Sequence, residues 1–538
     1  RILSSTAFTN NGIGGDVSFY SNKSIIQAAP INMAANTSGT DSNIRYDVTS
    51  GDKSSSISAT GAINITAGST SGINYVMKGS GASLAVGAMN MPGFINIDNT
   101  WGAASGAPAS GYITADNAST LATTSDDGVE ISGSLTAARD IDIRGAMYTS
   151  GVFRGVNSTA PITSTGGNIS IKGISAHPSG GEGIKCSNTT TGCTITANSG
   201  VVDLNGRTSG LWAAVSWNTG TTTISTQKLT AKGLSTINSA NSAVLLSPVT
   251  IVPGHTFAVG EMAVDVNSTV VNSPVAPNAG VQIIGAITNN SQAGGIQVTS
   301  NARIITGPIS QAANTSGQPI DITLDTTGGD KNSSVTTGVG AVTVAPGSTS
   351  AVNFIAKTAG APIVINGTVT VPGYINLDNT YTTGGSASGG LNITNAFGTN
   401  TTASEGVAVN AALTAGGSLS IKGISTLTSG TSGAVKIAAN LSSSQLTTGS
   451  ALTIDGVNVT GTSSAIDFTA SSTLQSGTAS VQGGDITLTA VTNGLYGLRS
   501  ESAAVATFST YGSNINLGTA ANRLYAGSGS GLNFAGAS

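Results

Sequence analysis

Charge is scarce in this chain. Of 538 residues, 20 are Lys or Arg and 24 are Asp or Glu, 8% in all with a net charge of −4, against roughly 25% in ordinary soluble domains. So thin a basic complement excludes an electrostatic footprint for nucleic acid and weakens any reading as an anionic-membrane binder. Aromatics are 4%, poor material for a β-sandwich built from domains of about 100 residues. No stretch approaches eighteen uninterrupted apolar residues, so no transmembrane helix and no direct membrane insertion are expected. The usual Leu/Glu/Lys surface of helices is missing, and glycine is scattered too densely for helix almost everywhere. No secretory signal is visible and the chain starts at Arg1, which reads as mature or excised material.

Histidine and cysteine are equally sparse. His177, in Ser-Ala-His-Pro-Ser-Gly, and His255, in Pro-Gly-His-Thr-Phe, sit among turn residues without local partners. Both are read as surface loop residues, since a catalytic or metal-bound imidazole needs partners. Cys186 and Cys193 are separated by six residues, where a CxxC metal or redox site needs two. A disulfide closing one loop is expected in an oxidising exterior.

What is abundant is Gly (73 residues) and a 38% hydrophobic fraction, delivered as regularly spaced Val, Ile and Leu. That spacing can build a core, which excludes disorder. The phrase Gly-Gly-Ser-Leu-Ser-Ile-Lys-Gly (416–423) returns as Gly-Gly-Asn-Ile-Ser-Ile-Lys-Gly (166–173) and, more loosely, as Gly-Gly-Asp-Ile-Thr-Leu-Thr-Ala (483–490). Strict alternation, as in Ile141 and Ile143 against Asp140, Asp142 and Arg144, marks short strands with one apolar face. In the phrase at 416–423, Leu419 and Ile421 should face the core, Ser418, Ser420 and Lys422 the exterior, and the last glycine should make a turn.

A longer period overlies the short one. Thr9-Asn10-Asn11 returns as Thr288-Asn289-Asn290, and the segment 92–101, Pro-Gly-Phe-Ile-Asn-Ile-Asp-Asn-Thr-Trp, as 372–381, Pro-Gly-Tyr-Ile-Asn-Leu-Asp-Asn-Thr-Tyr. The offset stays near 279, so the expected organisation is two tandem units, 1–279 and 280–538, within one continuous solenoid. Both ends fall in repeat phase, which reads as a piece of a longer array. The expected fold is all-β, a right-handed parallel β-helix forming one elongated rod. Rungs of about 20–25 residues would stack about 4.8 Å apart, with Asn and Thr side chains hydrogen-bonding in ladders.

The glycine-led phrases at 416–423, 166–173 and 483–490 resemble the repeats of filamentous haemagglutinin-type adhesins, bacterial surface proteins exported by two-partner secretion. That resemblance implies export, β-helix rods and a role in adhesion or biofilm matrix. Neither the family's N-terminal secretion domain nor an anchor is identifiable in this sequence.

Several further residues are candidate sites. Asp126-Asp127 with Glu130, and Asp140 with Asp142, are the densest carboxylates, and paired acids cleave polysaccharides. Ser418 and Ser420 replace Asp140 and Asp142 in the second unit, so a solvated face is preferred. Asp52 and Asp330, each in Gly-Asp-Lys, read as turns rather than calcium ligands. Trp101 and Tyr381 close the duplicated 92–101 and 372–381 segments. Their readings are a sugar-stacking platform or, preferred, an Asx turn with an aromatic cover. Trp212 and Trp217 are further candidate contacts for a glycan or a neighbouring fibre, although alternation puts at least one in the core. The sequons at Asn64, Asn117, Asn188, Asn366 and Asn392 permit glycosylation without indicating it.

The expected function is a secreted, non-enzymatic structural segment of a bacterial surface fibre, adhesin or biofilm filament, extracellular or at the cell surface. Its expected partners are copies of itself, head-to-tail or lateral, and cell-surface or matrix glycans. No catalytic residue, metal or cofactor is expected. The alternative is a carbohydrate-active or glycan-binding β-helix, such as a lyase, hydrolase or tailspike-like protein.

Overall fold

The computed structural model describes residues 1–12, 14–35, 43–48, 55–66, 72–77, 83–99, 127–147, 152–236, 242–271, 279–316, 321–327, 333–345, 350–356, 361–380, 405–425, 433–458, 463–492, 496–501, 503–520, 523–526 and 531–537. These contain strands and turns and no helix. Contacts divide the chain into two units, one comprising Arg1–Thr256, Ala263–Asn278 and Gln282–Ile284, the other Phe257–Met262, Ala279–Val281 and Gly285–Ser538. Each unit is a parallel β-helix.

Among the described residues, rungs before the last carry three strand segments, and each pairs in parallel with its counterpart one rung on. In unit 1, Val129–Ile131, Leu135–Ala137 and Ile141–Met147 make one rung, and Val156–Ser158, Ile162–Ser164 and Ile169–Ser175 the next. Val129 pairs with Val156, Leu135 with Ile162 and Ile141 with Ile169. Unit 2 repeats the arrangement: Val407–Val409, Leu413–Ala415 and Leu419–Ser425 pair onto Gly433–Ile437, Leu441–Ser443 and Leu452–Asn458. Two unit 1 strands, Ile195–Thr208 and Ile224–Ser235, run on through the corner between second and third segments. Between Ala197 and Val201 their register shifts to absorb the bend.

Some rungs keep to the expected 20–25 residues, as from Ile2 to Ile25, Ile73 to Ile95 and Ile287 to Ile309, and others are longer. Val129, Val156, Ile184 and Val215 occupy one column at steps of 27, 28 and 31 residues. Two steps are much longer, Leu84 to Val129 and Ile363 to Val407, and each spans undescribed residues.

Alternation builds the core as expected. Ile141, Ile169, Val202, Leu229 and Val264 stack in register along unit 1, as do Ile143, Ile171, Leu204, Ala231 and Val266, all buried. Unit 2 stacks Ile375, Leu419, Leu452 and Ile486 beside Leu377, Ile421, Ile454 and Leu488. Burying each such side chain contributes about 1.5–3 kcal/mol. Aromatic columns interrupt the aliphatic ones: Phe19, Tyr46 and Tyr75 pair in register with ring centroids 5.0 and 4.7 Å apart, and Phe508 stacks on Phe534 at 5.1 Å. Burial pushes both tyrosine hydroxyls well above their ordinary pKa.

The glycine that ends the repeated phrase does not make a turn. Gly173 lies inside the strand Ile169–Ser175, and Gly423 inside Leu419–Ser425. A Cβ on Gly173 would lie 2.0 Å from the Gly183 carbonyl oxygen, and one on Gly423 2.5 Å from Val435 Cγ2. Glycine is needed because the third segment presses against the first segment of the following rung. Gly145, Gly173, Gly206 and Gly233 form a register column at this seam.

Candidate functional site

The outer face of the third segments is where the charged candidates gather. Just before several third segments stands an Asp or Asn whose side chain accepts from a backbone N–H of the next rung. Asp16 Oδ1 accepts from Asn43 N (2.7 Å), Asn43 Oδ1 from Gly72 N (3.1 Å), Asp140 Oδ1 from Asn168 N (2.7 Å) and Asn168 Oδ1 from Val201 N (2.9 Å). In unit 2, Asp321 holds Ala351 N at 3.1 Å and Asp485 holds Asn514 N at 3.0 Å. Asp140 is therefore one step of a corner ladder.

Asp142 heads a second column. It pairs in register with Ser170, then Asp203, Thr230 and Asp265, while Arg144 two residues on is followed by Lys172, Asn205, Lys232 and Asn267. Acids and bases thus run side by side. Arg144 Nη2 donates to Asp142 Oδ2 at 2.5 Å. Burial raises the pKa of Asp203, opposed by Lys172 and Lys232 on the flanking rungs. Unit 2 uses one column, with Lys422 between Asp378 and Asp455. Burial raises Asp455 too, against the Thr489 hydrogen bond and Lys422.

A second network crosses the first segments. Asp127 Oδ1 accepts from Arg154 N and Oδ2 from Asn157 Nδ2, both at 2.7 Å. Burial raises the Asp127 pKa, opposed first by that backbone bond. Arg154 Nε reaches Glu182 Oε2 at 3.4 Å, Lys185 Nζ donates to Glu182 Oε1 at 2.5 Å, and the same ammonium sits 5.6 Å from the Trp212 ring centroid. In unit 2, Asp467 is fully buried and accepts from Arg499 Nε (3.1 Å) and Nη2 (2.5 Å). Burial lifts Asp467 to about 6 despite those bonds.

Cys186 and Cys193 form a disulfide, and both are buried. The loop it closes is tied to both neighbouring rungs. Ser187 Oγ donates to Asn157 Oδ1 (2.5 Å) on one side, and Thr222 Oγ1 accepts from Cys193 N (3.0 Å) on the other. Trp217 cannot serve as a glycan or fibre contact. It is fully buried beneath this loop, with Nε1–H donating to the Cys193 carbonyl at 2.8 Å. Trp212 is 38% exposed, with Lys185 on its ring. Trp101, Tyr381, Asp126, Asp52 and Asp330, and the sequons at Asn117 and Asn392, lie outside the described residues.

The duplicated segment is described up to those aromatics. Asp378 Oδ1 accepts from Thr380 N at 3.0 Å, an Asx turn. Asn379 turns inward, its Oδ1 taking Ile424 N at 2.8 Å. The Nδ2 groups of Asn64, Asn188 and Asn366 donate to Asn32 Oδ1, Thr159 O and Thr337 O. His177 Nδ1 accepts from Ser179 N at 3.1 Å within a turn.

Sequence reasoning passed over the aromatic at the start of the duplicated segment. Phe94 lines a shallow groove of about 500 Å³ with Asn74, Asn96, Asp140, Asp142 and Arg144. Its counterpart Tyr374 is 42% exposed. The signal was the aromatic preserved after Pro-Gly in both copies. Compared with known proteins, the chain matches no family model, no curated protein and no solved structure.

Proposed function

We propose that this chain is a non-enzymatic structural segment of an extracellular fibre or adhesin, its working feature being the β-helix itself. The observation that carries the reading is the state of the clustered carboxylates. Asp140 holds a backbone N–H of the next rung, Asp142 is paired with Arg144, Asp127 is bound twice and Asp467 is held by Arg499. Groups that hydrolysis or elimination would need free are spent on contacts within and between rungs. The resemblance of the glycine-led phrases to filamentous haemagglutinin-type repeats points the same way, toward export and association with further copies.

The rival is a carbohydrate-active β-helix using Asp140 and Asp142. A reducing-sugar and unsaturated-product assay over a polysaccharide panel separates the two, with Asp140→Ala and Asp142→Ala as controls. The expected result is no turnover by any form. Turnover by the unaltered chain that disappears in either variant would overturn the structural reading. Electron microscopy of the purified chain is expected to show end-to-end or lateral assemblies.

A further inference from the structure

We propose that the outer face at Phe94, and its duplicate at Tyr374, is a binding platform for neutral pyranose glycans. The Phe94 ring lies flat on the preceding rung: a Cβ added to Gly72 would sit 2.4 Å from its Cδ1 and Cε1. One ring face is thereby packed, and Phe94 lines the groove. In unit 2 the residue at the place of Gly72 is Ala351. Tyr374 there is more exposed, and its hydroxyl lies 3.4 Å from both Asn353 Nδ2 and Asp321 Oδ2. The ring is retained while its seat changes, as expected if its outer surface is what matters.

Beside each ring runs an amide pair. Asn96 Nδ2 donates to Asn74 Oδ1 at 3.1 Å, and Asn376 Nδ2 to Asn353 Oδ1 at 3.4 Å. Each bond fixes the orientation of both amides and leaves a donor at one end and an acceptor at the other. In unit 1 the amides are flanked by the Asp142–Arg144 pair, bridged at 2.5 Å and partly exposed where it lines the groove. A sugar hydroxyl, which donates and accepts at once, suits the exposed edge of such a pair. The ring takes the apolar face of the pyranose and the amides its remaining hydroxyls. Opposite charges adjoin here, so the surface selects against a polyanion and fits a neutral sugar.

This goes beyond the scaffold reading and fails separately from it, because a fibre segment needs no sugar. The test is saturation-transfer NMR and affinity electrophoresis with cellohexaose, mannohexaose and a β-1,3-glucan hexamer, against polygalacturonate and heparin oligomers. Binding of at least one neutral hexamer is expected. Phe94→Ala with Tyr374→Ala weakens it about tenfold or more, while Phe94→Tyr, which copies the second unit, retains it. Asp142→Asn with Arg144→Gln alters no core residue and removes the unit 1 site alone. Melting curves establish that each variant is folded. No binding of neutral hexamers, binding of the anionic oligomers only, or binding indifferent to both sets of substitutions overturns the proposal.

Discussion

Gly173 illustrates how much a single residue settles. Its place at the end of a strand phrase suggests a turn, yet the strand continues through it and the side-chain position is filled by the Gly183 carbonyl. Gly173→Ala is expected to cost about 1–3 kcal/mol or more by overpacking, read as a lower denaturation midpoint with unchanged m-value. Asp467 makes a second prediction at this scale. Its folded pKa of about 6 exceeds the unfolded value of about 3.9, so between these pH values the folded state binds the extra proton. Its stabilising contribution is complete below about pH 4 and is lost as pH rises through 6. Relative to Asp467→Asn, the unaltered chain should lose stability from pH 4 to 7, by about 2 kcal/mol, measured by urea denaturation of both at each pH. No loss in that window would refute the shift.

At the scale of the element, the corner holding Cys186, Cys193 and Trp217 joins three consecutive rungs through Asn157, the Cys193 carbonyl and Thr222. The disulfide closes a loop of eight residues, counting both cysteines, and its removal as Cys186→Ala/Cys193→Ala is expected to cost about 2.5 kcal/mol. Guanidinium titration with and without reductant checks this. Trp217→Ala should cost about 3–5 kcal/mol through the cavity it leaves, whereas Trp212→Ala, at the partly exposed site, should change stability far less. The sequence placed at least one of these tryptophans in the core. Which one depends on a corner that strand alternation does not describe.

At the scale of the molecule, low charge combines with local neutralisation. Acids and bases stand on adjacent rungs, as with Lys172 beside Asp203 and Lys422 between Asp378 and Asp455. Long-range repulsion is small, so salt has little to screen. Raising NaCl from low to high concentration should move the melting midpoint by less than about 2 °C, checked by calorimetry. A steep salt dependence would mean that the columns are not neutralised as their register implies.

The all-β class, the alternating strands and the apolar columns were legible in the sequence, because a two-residue period and glycine-led corners are local properties of the chain. The pairing of Cys186 with Cys193 was equally accessible from spacing. Tertiary structure alone decided what depends on the next rung: the rung length, the seam that demands Gly173, and the ladder that occupies Asp140. It also decided that Phe94 lies on Gly72. These contacts join residues some ten to thirty positions apart, where the register of stacking determines the neighbour and no local pattern records it.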